Sequence, residues 1–428
     1  MFKDAQGLDI TTVSEIAIAS INQYTEQCLC YGNQAESSIL AAVAADSQSV
    51  LANTFAADYY LTQENANDAQ KAIPYFEQAR NNIANANERE RLHFLATEAW
   101  VQKKINLAIT YCEEIVTRYP QDLLAVQQGQ YHYFYMGDKS GLTCIAGSVL
   151  NANEGNHYLM GMLAFGLEQS DRLNEAERLA RFALDINRHD PWAQHAVAHV
   201  METRGRYQEG IEWMESFADT WENCNSMLYT HNWWHIALFY LSRGEINQVL
   251  SIYDHHVWGK ARKSTPKDQV GAISLLLRLE LLGIDVGQRW QQIAPYLRDR
   301  LHEHALPFQD LHYIYALARA NRLDFAREML FSMEAYAHRV PPYLQKTWQE
   351  VALPAARGLI AHALYDWRKT TKELKPVLHR LHEVGGSNTQ RKLFLQIYED
   401  AHREALIQQD RYSRAITILK RSPHSLTA

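Results

Sequence analysis

Residues 190–258 decide the fold, and they read DPWAQHAVAHVMETRGRYQEGIEWMESFADTWENCNSMLYTHNWWHIALFYLSRGEINQVLSIYDHHVW. This stretch contains two His-x-x-x-His pairs within apolar runs, namely His195 with His199 and His231 with His235. An α-helix turns once in about 3.6 residues, so residues four apart lie on the same face. We therefore expect each pair to project both of its imidazoles from one side of a helix.

Each apolar run continues through a glycine turn, at Gly205 and at Gly244, into a second helical segment. The stretch fits the tetratricopeptide pattern of about 34 residues, in which Gly205, Tyr207 and Gly210 take the turn, aromatic and small-residue positions. Residues of the first helix in this repeat usually line a concave groove. The two histidine pairs, together with Glu202, are therefore predicted to face one cavity from adjacent helical hairpins.

The remaining sequence has the same periodicity, because apolar residues recur at helical spacing and almost nothing alternates with a period of two. We predict an all-α fold, a tetratricopeptide-like solenoid of stacked antiparallel helical hairpins that can close around a central pocket. Residues 1–428 are predicted to form a single domain, with capping helices over 1–50 and hairpin repeats over 55–420. The polar segment 259–269, which contains Pro266, is predicted to be an exposed loop.

Composition narrows the class of partner. The chain has 42 basic and 49 acidic residues and a net charge of −7, so it lacks the basic field that a nucleic acid requires. Its most apolar segment, 273–284, is much shorter than the roughly 20 residues of a membrane span. The five cysteines are odd in number and scattered, which fits a reducing cytoplasm. These features predict a cytoplasmic protein with neither a nucleic-acid nor a membrane partner.

Several separate stretches go beyond the ordinary repeat pattern, which contains neither histidine pairs nor double tryptophans. They are 120–125 (PQDLLA), 134–138 (FYMGD), 164–168 (AFGLE), 190–200 (DPWAQHAVAHV), 231–235 (HNWWH), 310–312 (DLH) with 315–317 (YAL), and 385–387 (GGS) with Gln390, Arg391 and Phe394. Over about residues 5–420, the chain resembles the tetratricopeptide repeat protein 38 family. The resemblance implies an all-helical, single-chain solenoid and does not supply a reaction. Where the family pattern has a second histidine after Asp-Leu-His, this chain has Tyr313, so only His312 carries over.

The histidines are the candidate metal ligands. Neutral imidazoles four residues apart on a helix can chelate a transition metal, and an added carboxylate suits a catalytic site with an open position. The predicted ligands of a divalent ion such as Zn, Fe, Mn or Ni are His195, His199, His231, His235 and His312. The predicted catalytic residues are His199, His235, Glu202 and Asp310. A metal-free polar pocket with a histidine as general base, and purely structural hydrogen bonding, are the two alternative interpretations.

A second group of residues is predicted to bind substrate. It comprises Glu168, Trp234, Ser387, Gln390 and Arg391. The glycines at 385–386 let backbone N–H groups approach an anion, and Arg391 offers a bidentate fork. A helix cap between repeats is the alternative for this loop. Trp233 and Trp234 point about 100° apart on a helix, so one can pack between hairpins while the other lines the groove.

Two functions fit these patterns. The first is an enzyme acting on a small-molecule substrate by metal-dependent hydrolysis or oxidation in a biosynthetic or catabolic pathway, with a homodimer as the expected assembly. The second is a tetratricopeptide-type scaffold that binds a peptide or protein partner in its concave groove. Such grooves commonly present Lys, Arg and Asn side chains, whereas the candidate positions here are histidine and glutamate, which favours the enzyme.

Overall fold

In the computed structural model, which describes residues 2–421 and the side chains of residues 2–412, the chain is 77% helical. The α-helices are α1 Glu15–Leu29, α2 Ala35–Ala45, α3 Val50–Leu61, α4 Ala66–Asn82, α5 Glu88–Val101, α6 Ile105–Arg118, α7 Leu123–Met136, α8 Lys139–Ser148, α9 His157–Gln169, α10 Leu173–Ile186 and α11 Pro191–Thr203. They continue with α12 Tyr207–Glu215, α13 Ser226–Ser242, α14 Ile246–Ile252, α15 Pro266–Leu281, α16 Arg289–Leu297, α17 Pro307–Arg319, α18 Leu323–Ala337, α19 Pro342–Lys346, α20 Leu353–Ala363, α21 Trp367–Leu374 and α22 Asn388–Arg421. The predicted all-α fold is confirmed.

Neighbouring helices pack as hairpins, and left-handed residues make the turns between them. Gly205 has φ 69° and Gly244 has φ 76°, as expected for glycines that end one helix and reverse the chain. Non-glycine residues adopt the same conformation at equivalent turns, including Lys103 at 56° and Asn321 at 60°. The turn glycines that the sequence singled out therefore belong to a wider set of left-handed turns.

Two details differ from the sequence-based expectation. Phe2–Lys3 and Asp9–Ile10 form a short antiparallel strand pair, although no strand was predicted. The polar loop ends at Thr265, because Pro266 takes the first position of α15. Proline suits that position, since its φ is already helical and the first helical N–H has no partner to lose.

The solenoid closes on itself through contacts between residues far apart in sequence. The Ala66 backbone N–H donates to Oε1 of Glu303 at 3.0 Å. The hydroxyl of Tyr343 donates to the carbonyl oxygen of Lys103 at 2.6 Å, and Nζ of Lys103 donates to the hydroxyl of Tyr336 at 2.8 Å. The start of α4 and the turn between α5 and α6 thereby meet the segment from residue 303 to α19, and the inner face becomes the wall of a cavity.

The main hydrophobic core draws on residues from Leu29 in α1 to Ile397 in α22, and two smaller clusters join α1 to α5. This continuity agrees with one helical array, while the division into capping helices over 1–50 and repeats over 55–420 stays a prediction. Within residues 2–421, no helix is both long enough and apolar enough to cross a membrane.

Candidate functional site

Two capped helices present the histidine pairs. The side chain of Asp190 accepts from the backbone N–H groups of Trp192 and Ala193, and Pro191 takes the first position of α11. Asn225 caps α13 in the same way by accepting from the backbone N–H of Leu228. Such caps satisfy N–H groups that have no partner inside the helix. Both helices are therefore fixed at the end from which the histidines project.

The structure brings His195, His199, His231 and His235 into one cluster, which we call the four-histidine cluster. One ring nitrogen from each residue lies within 4.8 Å of those of the other three. Nε2 of His195 lies 3.1 Å from Nε2 of His199 and 3.0 Å from Nε2 of His231. The two histidine pairs meet in one cluster, as the spacing predicted. Their role as metal ligands stays a prediction.

Tryptophan side chains hold two of these imidazoles in place. The ring of Trp192 stacks on His195, with centroids 4.6 Å apart and planes inclined by 28°. The ring of Trp234 stacks on His231 at 5.2 Å and 11°. The Trp234 indole N–H also donates to Oγ of Ser274 on α15 at 2.9 Å, which fixes its orientation. The cluster is therefore packed rigidly on both flanks.

Two carboxylates face the outer nitrogens of the cluster. Oε2 of Glu168 on α9 lies 3.5 Å from Nδ1 of His199, and Oε2 of Glu202 lies 3.4 Å from Nδ1 of His235. Neither pair has the length and angle of a hydrogen bond, so each is an electrostatic contact. A carboxylate in this position favours a proton on Nδ1 and leaves the lone pair of Nε2 free.

Burial controls the protonation of the cluster. It lowers the pKa of His195 and His235 well below the usual value and lowers that of His231 to about 3. Burial is the largest effect on His199 and acts to lower its pKa, but the carboxylates of Glu168 and Glu202 together outweigh burial and the pKa is raised. Burial raises the pKa of Glu202. At neutral pH at least three of the imidazoles are uncharged, which is the form that binds metal ions.

The cluster borders a cavity of about 540 Å³ enclosed by the closed solenoid, which we call the inner cavity. His195 and His231 line its wall. Aromatic side chains line much of the remainder, including Tyr31, Tyr59, Trp100, Tyr131, Phe134, Tyr135 and Trp192. The inner cavity therefore combines a largely apolar, aromatic surface with a polar patch at the histidines.

Two predicted residues of α17 lie outside the four-histidine cluster. Nδ1 of His312 donates to the carbonyl oxygen of Phe308 at 2.8 Å, and its Nε2 is buried and has no hydrogen-bond partner within residues 2–412. Oδ2 of Asp310 lies 2.6 Å from Nδ1 of His304, so its carboxylate is already paired. Residues two apart on a helix point about 200° apart, so Asp310 and His312 face opposite sides of α17. Neither residue belongs to the group of four histidines whose ring nitrogens converge, and the roles predicted for Asp310 and His312 stay predictions.

The glycine loop before α22 is a helix cap. The Ser387 backbone N–H donates to Oε1 of Gln390 at 2.9 Å, and the Gln390 backbone N–H donates to Oγ of Ser387 at 3.2 Å. This reciprocal pair is a capping box. Arg391 donates to the carbonyl oxygen of Gly386 and to Oδ1 of Asn388. Ser387 and Arg391 are thus engaged within the loop, whereas Gln390 also lines the inner cavity.

The other two predicted substrate-binding residues also have structural contacts. Trp234 is 1% exposed and packs between hairpins, and it is not part of the cavity wall. Glu168 faces His199, and its carboxylate also accepts from Nε2 of Gln169. The alternative role of a tryptophan packed between hairpins therefore applies to Trp234.

Sequence patterns missed several residues of the cavity wall. Tyr31 stacks on Trp192 with ring centroids 4.9 Å apart, and its own φ is 54°. Arg262 lies at the exposed edge of the wall, in the polar loop between α14 and α15. Gly271 of α15 lines the cavity with nothing within 4 Å of its Cβ position. A polar loop and a single helical glycine carry no sequence signal that places them beside the histidines.

No family model matches the chain. Its fold is similar to solved helical-repeat structures. A Rap protein complexed with Competence and Sporulation Factor is 14% identical, and the match covers 79% of this chain and 99% of the Rap chain at a TM-score of 0.46. A human IFIT1 dimer with m7Gppp-AAAA is 13% identical, with coverage of 94% and 96% and a TM-score of 0.38. These likenesses concern the fold alone, a helical-repeat solenoid of tetratricopeptide type.

The comparison corrects the prediction of a small-molecule substrate with nucleic acid excluded. The Rap structure contains Competence and Sporulation Factor, and the IFIT1 structure contains m7Gppp-AAAA. The partners in these structures are a signalling peptide and an RNA, and neither is a small-molecule substrate. The net charge of the whole chain does not describe the surface inside the solenoid, so it does not by itself exclude a nucleic acid.

Proposed function

We propose that the protein binds an extended segment of a peptide or protein partner inside the inner cavity. This is the scaffold alternative of the sequence analysis. The observation that carries the proposal is the wall itself, in which the stacked rings of Tyr31 and Trp192 border a cavity of about 540 Å³. That volume lies within the range of about 300–1,000 Å³ that is typical of ligand pockets. It accommodates a few residues of an extended chain and excludes a folded domain.

The polar groups of the wall support a peptide. Nε1 of Trp192 is buried and has no hydrogen-bond partner among the described residues. A buried donor without a partner costs about 1–3 kcal/mol, and a backbone carbonyl oxygen of a bound peptide would satisfy it. The aromatic rings supply apolar area for side chains of the peptide. Together they fit a ligand that alternates apolar side chains with carbonyl oxygens.

A positively charged side chain, that of Arg262, lies at the exposed edge of the inner cavity. The guanidinium of Arg262 has no hydrogen-bond or ion-pair partner within residues 2–412, although the backbone N–H of this residue donates to Oδ2 of Asp268. Lys267 also lines the cavity, but its Nζ is paired with Oε1 of Glu64 at 3.1 Å. Arg262 therefore offers a bidentate fork for a carboxylate of the peptide, at its C-terminus or on a side chain.

The contacts of the predicted catalytic carboxylates favour the scaffold over the enzyme. Asp310 is held by His304, and Glu202 faces the outer nitrogen of His235. Neither carboxylate is in the wall of the inner cavity. The resemblance to the tetratricopeptide repeat protein 38 family is kept within this proposal, and it adds a repeat architecture without a reaction.

A substitution that fills the inner cavity without displacing its wall tests whether a peptide binds there. Gly271→Phe places a ring into open space beside the bound peptide, because nothing lies within 4 Å of the Cβ position. The matched control is Gly147→Phe, on an exposed helical glycine whose Cβ position is 3.7 Å from Leu163 outside the inner cavity. Peptides selected from a display library on the native chain are then titrated against all three proteins, with the fluorescence anisotropy of a dye attached to the peptide as the readout.

We expect native and Gly147→Phe proteins to bind the selected peptides with equal affinity, and Gly271→Phe to lose at least about tenfold. Circular dichroism spectra of the three proteins are expected to coincide. Failure to enrich any peptide, or equal binding by Gly271→Phe, would refute the proposal. An RNA that binds the native chain and competes with the peptides would replace the peptide with a nucleic-acid partner.

A further inference from the structure

We infer that the four-histidine cluster binds one divalent transition-metal ion, with all four imidazoles as ligands. This inference goes beyond the peptide proposal and does not depend on it. The carrying observation is the convergence of four ring nitrogens from α11 and α13 within 4.8 Å of one another. A tetrahedral zinc ion with Zn–N distances of about 2.0–2.1 Å requires nitrogens separated by about 3.4 Å. The separations of 3.0 and 3.1 Å around His195 therefore need a small outward shift, whereas nitrogens up to 4.8 Å apart need an inward shift of up to about 1.4 Å.

The positions of the ring protons in the four-histidine cluster favour a bound cation. A neutral imidazole carries one N–H, and the carboxylates of Glu168 and Glu202 favour its placement on Nδ1 of His199 and His235. Nε2 of each of these two rings then directs a lone pair at the cluster. Nε2 of His195 lies within hydrogen-bonding distance of Nε2 of both His199 and His231, and a single proton on it can serve only one of these contacts. A metal ion at the centre of the cluster would accept the lone pairs that are left.

Several buried polar atoms of the cluster have no hydrogen-bond partner among the described residues, and they also favour a bound ion. Nδ1 of His195, Nδ1 of His199 and both ring nitrogens of His235 have no hydrogen-bond partner among the described residues. Oε2 of Glu202 also lacks one. Buried polar atoms are nearly always paired in native proteins, so several unpaired atoms in one cluster require an explanation. Coordination of an ion through Nε2 would pair that nitrogen of His235, and it would strengthen the contacts of Nδ1 of His199 and of His235 to the carboxylates.

The surroundings match those of metal-binding histidines. Such histidines almost always donate their second N–H to a carboxylate, a carbonyl or water, which fixes the tautomer and the ring orientation. Glu168 and Glu202 are placed for this role. The nearby guanidinium of Arg278 donates to the carbonyl oxygens of Ser274 and Thr389, and its positive charge also attracts the carboxylate of Glu202. Four nitrogen ligands suit Zn²⁺, Cu²⁺, Ni²⁺ or Co²⁺ better than the hard cations Mg²⁺ and Ca²⁺.

The ion has a route to the cluster. His195 and His231 are part of the cavity wall, whereas His199 and His235 lie behind them. An ion entering through the inner cavity would therefore meet His195 and His231 first. The stacked rings of Trp192 and Trp234 keep these two imidazoles in the orientation that receives the ion. The site would thus exchange its metal with solvent through the cavity.

The test uses the full chain without a histidine tag, freed of metal by a chelator and then titrated with Zn²⁺ or Co²⁺ alone. We expect one ion per chain by calorimetry, visible absorption of tetrahedral Co²⁺, and a melting temperature that rises with ion concentration. Binding to the native state but not to the unfolded state stabilises a protein in this concentration-dependent way. Absence of stoichiometric binding to the native chain would overturn the inference without any variant.

Variants then locate the ion. His235→Leu removes an imidazole whose two nitrogens have no hydrogen-bond partner in the described part of the chain. Replacing such a group with an apolar one of similar size is expected to leave the metal-free melting temperature unchanged or higher. We expect the variant to lose the Co²⁺ spectrum and to bind Zn²⁺ at least about 100-fold more weakly. His189→Asn, at an exposed histidine, is the control and should bind like the native chain. Native affinity in His235→Leu would place the ion elsewhere and refute the site.

Discussion

Oε2 of Glu202 lies 3.4 Å from Nδ1 of His235, although the two residues belong to different hairpins. The same relationship joins the preceding pair, because Oε2 of Glu168 on α9 lies 3.5 Å from Nδ1 of His199 on α11. A carboxylate on one first helix thus faces an imidazole on the next first helix, twice in succession. This repetition links three consecutive hairpins through the four-histidine cluster.

We expect Glu202→Gln to weaken Zn²⁺ binding by about 10–100-fold, because an amide supports the Nδ1 proton of His235 less strongly than a carboxylate does. The melting temperature of the metal-free protein should change little, since burial already raises the pKa of this carboxyl. Calorimetric titration with Zn²⁺ measures the effect. The exposed Glu222 provides the control, and Glu222→Gln should bind like the native chain. Equal affinities in the two variants would remove Glu202 from the site.

Two glycine-to-alanine changes should shift stability in opposite directions. Gly271→Ala adds a methyl group in open space within α15, and alanine is favoured over glycine in a helix by about 1 kcal/mol. Gly210→Ala in α12 places its Cβ 2.5 Å from the ring of Phe239, which is fully buried. We expect the free energy of unfolding to rise by up to about 1 kcal/mol in the first variant and to fall by about 1–3 kcal/mol in the second. Urea unfolding would check both, and a loss in Gly271→Ala would contradict the open space in the cavity.

We expect Glu64 to stabilise the closed form of the solenoid. Its carboxylate is 2% exposed, accepts from the hydroxyl of Tyr131 at 3.0 Å and from Nε2 of Gln309, and pairs with Nζ of Lys267. Glutamine has the shape of glutamate without its charge, so Glu64→Gln removes the charge and leaves the backbone at this position, where φ is 60°, as it is. We expect the free energy of unfolding to fall by about 1–3 kcal/mol, as for a hydrogen-bonded charge.

The matched control for this change is Glu77→Gln, because the Glu77 side chain is 46% exposed where it pairs with Arg80. Its effect should stay within about 0.5 kcal/mol. Urea unfolding measures stability, and small-angle scattering reports whether the array opens. Similar small effects in both variants would show that Glu64 does not hold the closed form together.

His132 should make the protein sensitive to acid. Burial lowers its pKa to about 3, and its ring lies edge-on to Trp100 with centroids 4.8 Å apart. In the unfolded chain the pKa is about 6.5, so the unfolded state binds the proton more readily. The stability that comes from the neutral ring is therefore complete above pH about 6.5 and is lost as the pH falls toward 3, by about 1.4 kcal/mol per pH unit.

The variant His132→Phe should flatten this dependence. Between pH 7 and pH 5 we expect it to lose about 2 kcal/mol less of its unfolding free energy than the native chain does. Urea unfolding at a series of pH values gives the two slopes, and His189→Asn, at an exposed histidine, should keep the native slope. The difference between slopes isolates His132 from the other buried histidines. Identical slopes for the native and His132→Phe proteins would show that this ring does not titrate between the two states.

The sequence was sufficient for the helices and for the faces of α11 and α13. Spacing of four residues places His195 with His199, and His231 with His235, whatever the rest of the chain does. Turn glycines such as Gly205 marked where the hairpins reverse, because a positive φ is a local property of the backbone. The repeat pattern also placed the two pairs on adjacent first helices, and the structure shows them in one cluster.

Tertiary packing decided which of the other candidates join the four-histidine cluster. Asp310 was grouped with it from sequence, but His304 reaches Asp310 through a turn with φ 48° that no period reveals. Ser387 could have bound an anion or capped a helix, and its choice depends on where Gln390 points once α22 has packed. Local spacing fixes the face of a helix, whereas contacts between helices depend on crossing angles and side-chain rotamers. For that reason the sequence predicted the histidine pairs and named Glu168 and Glu202 as site residues. It did not predict that Glu168 faces His199 and Glu202 faces His235, or that an aromatic cavity lies in front of the histidines.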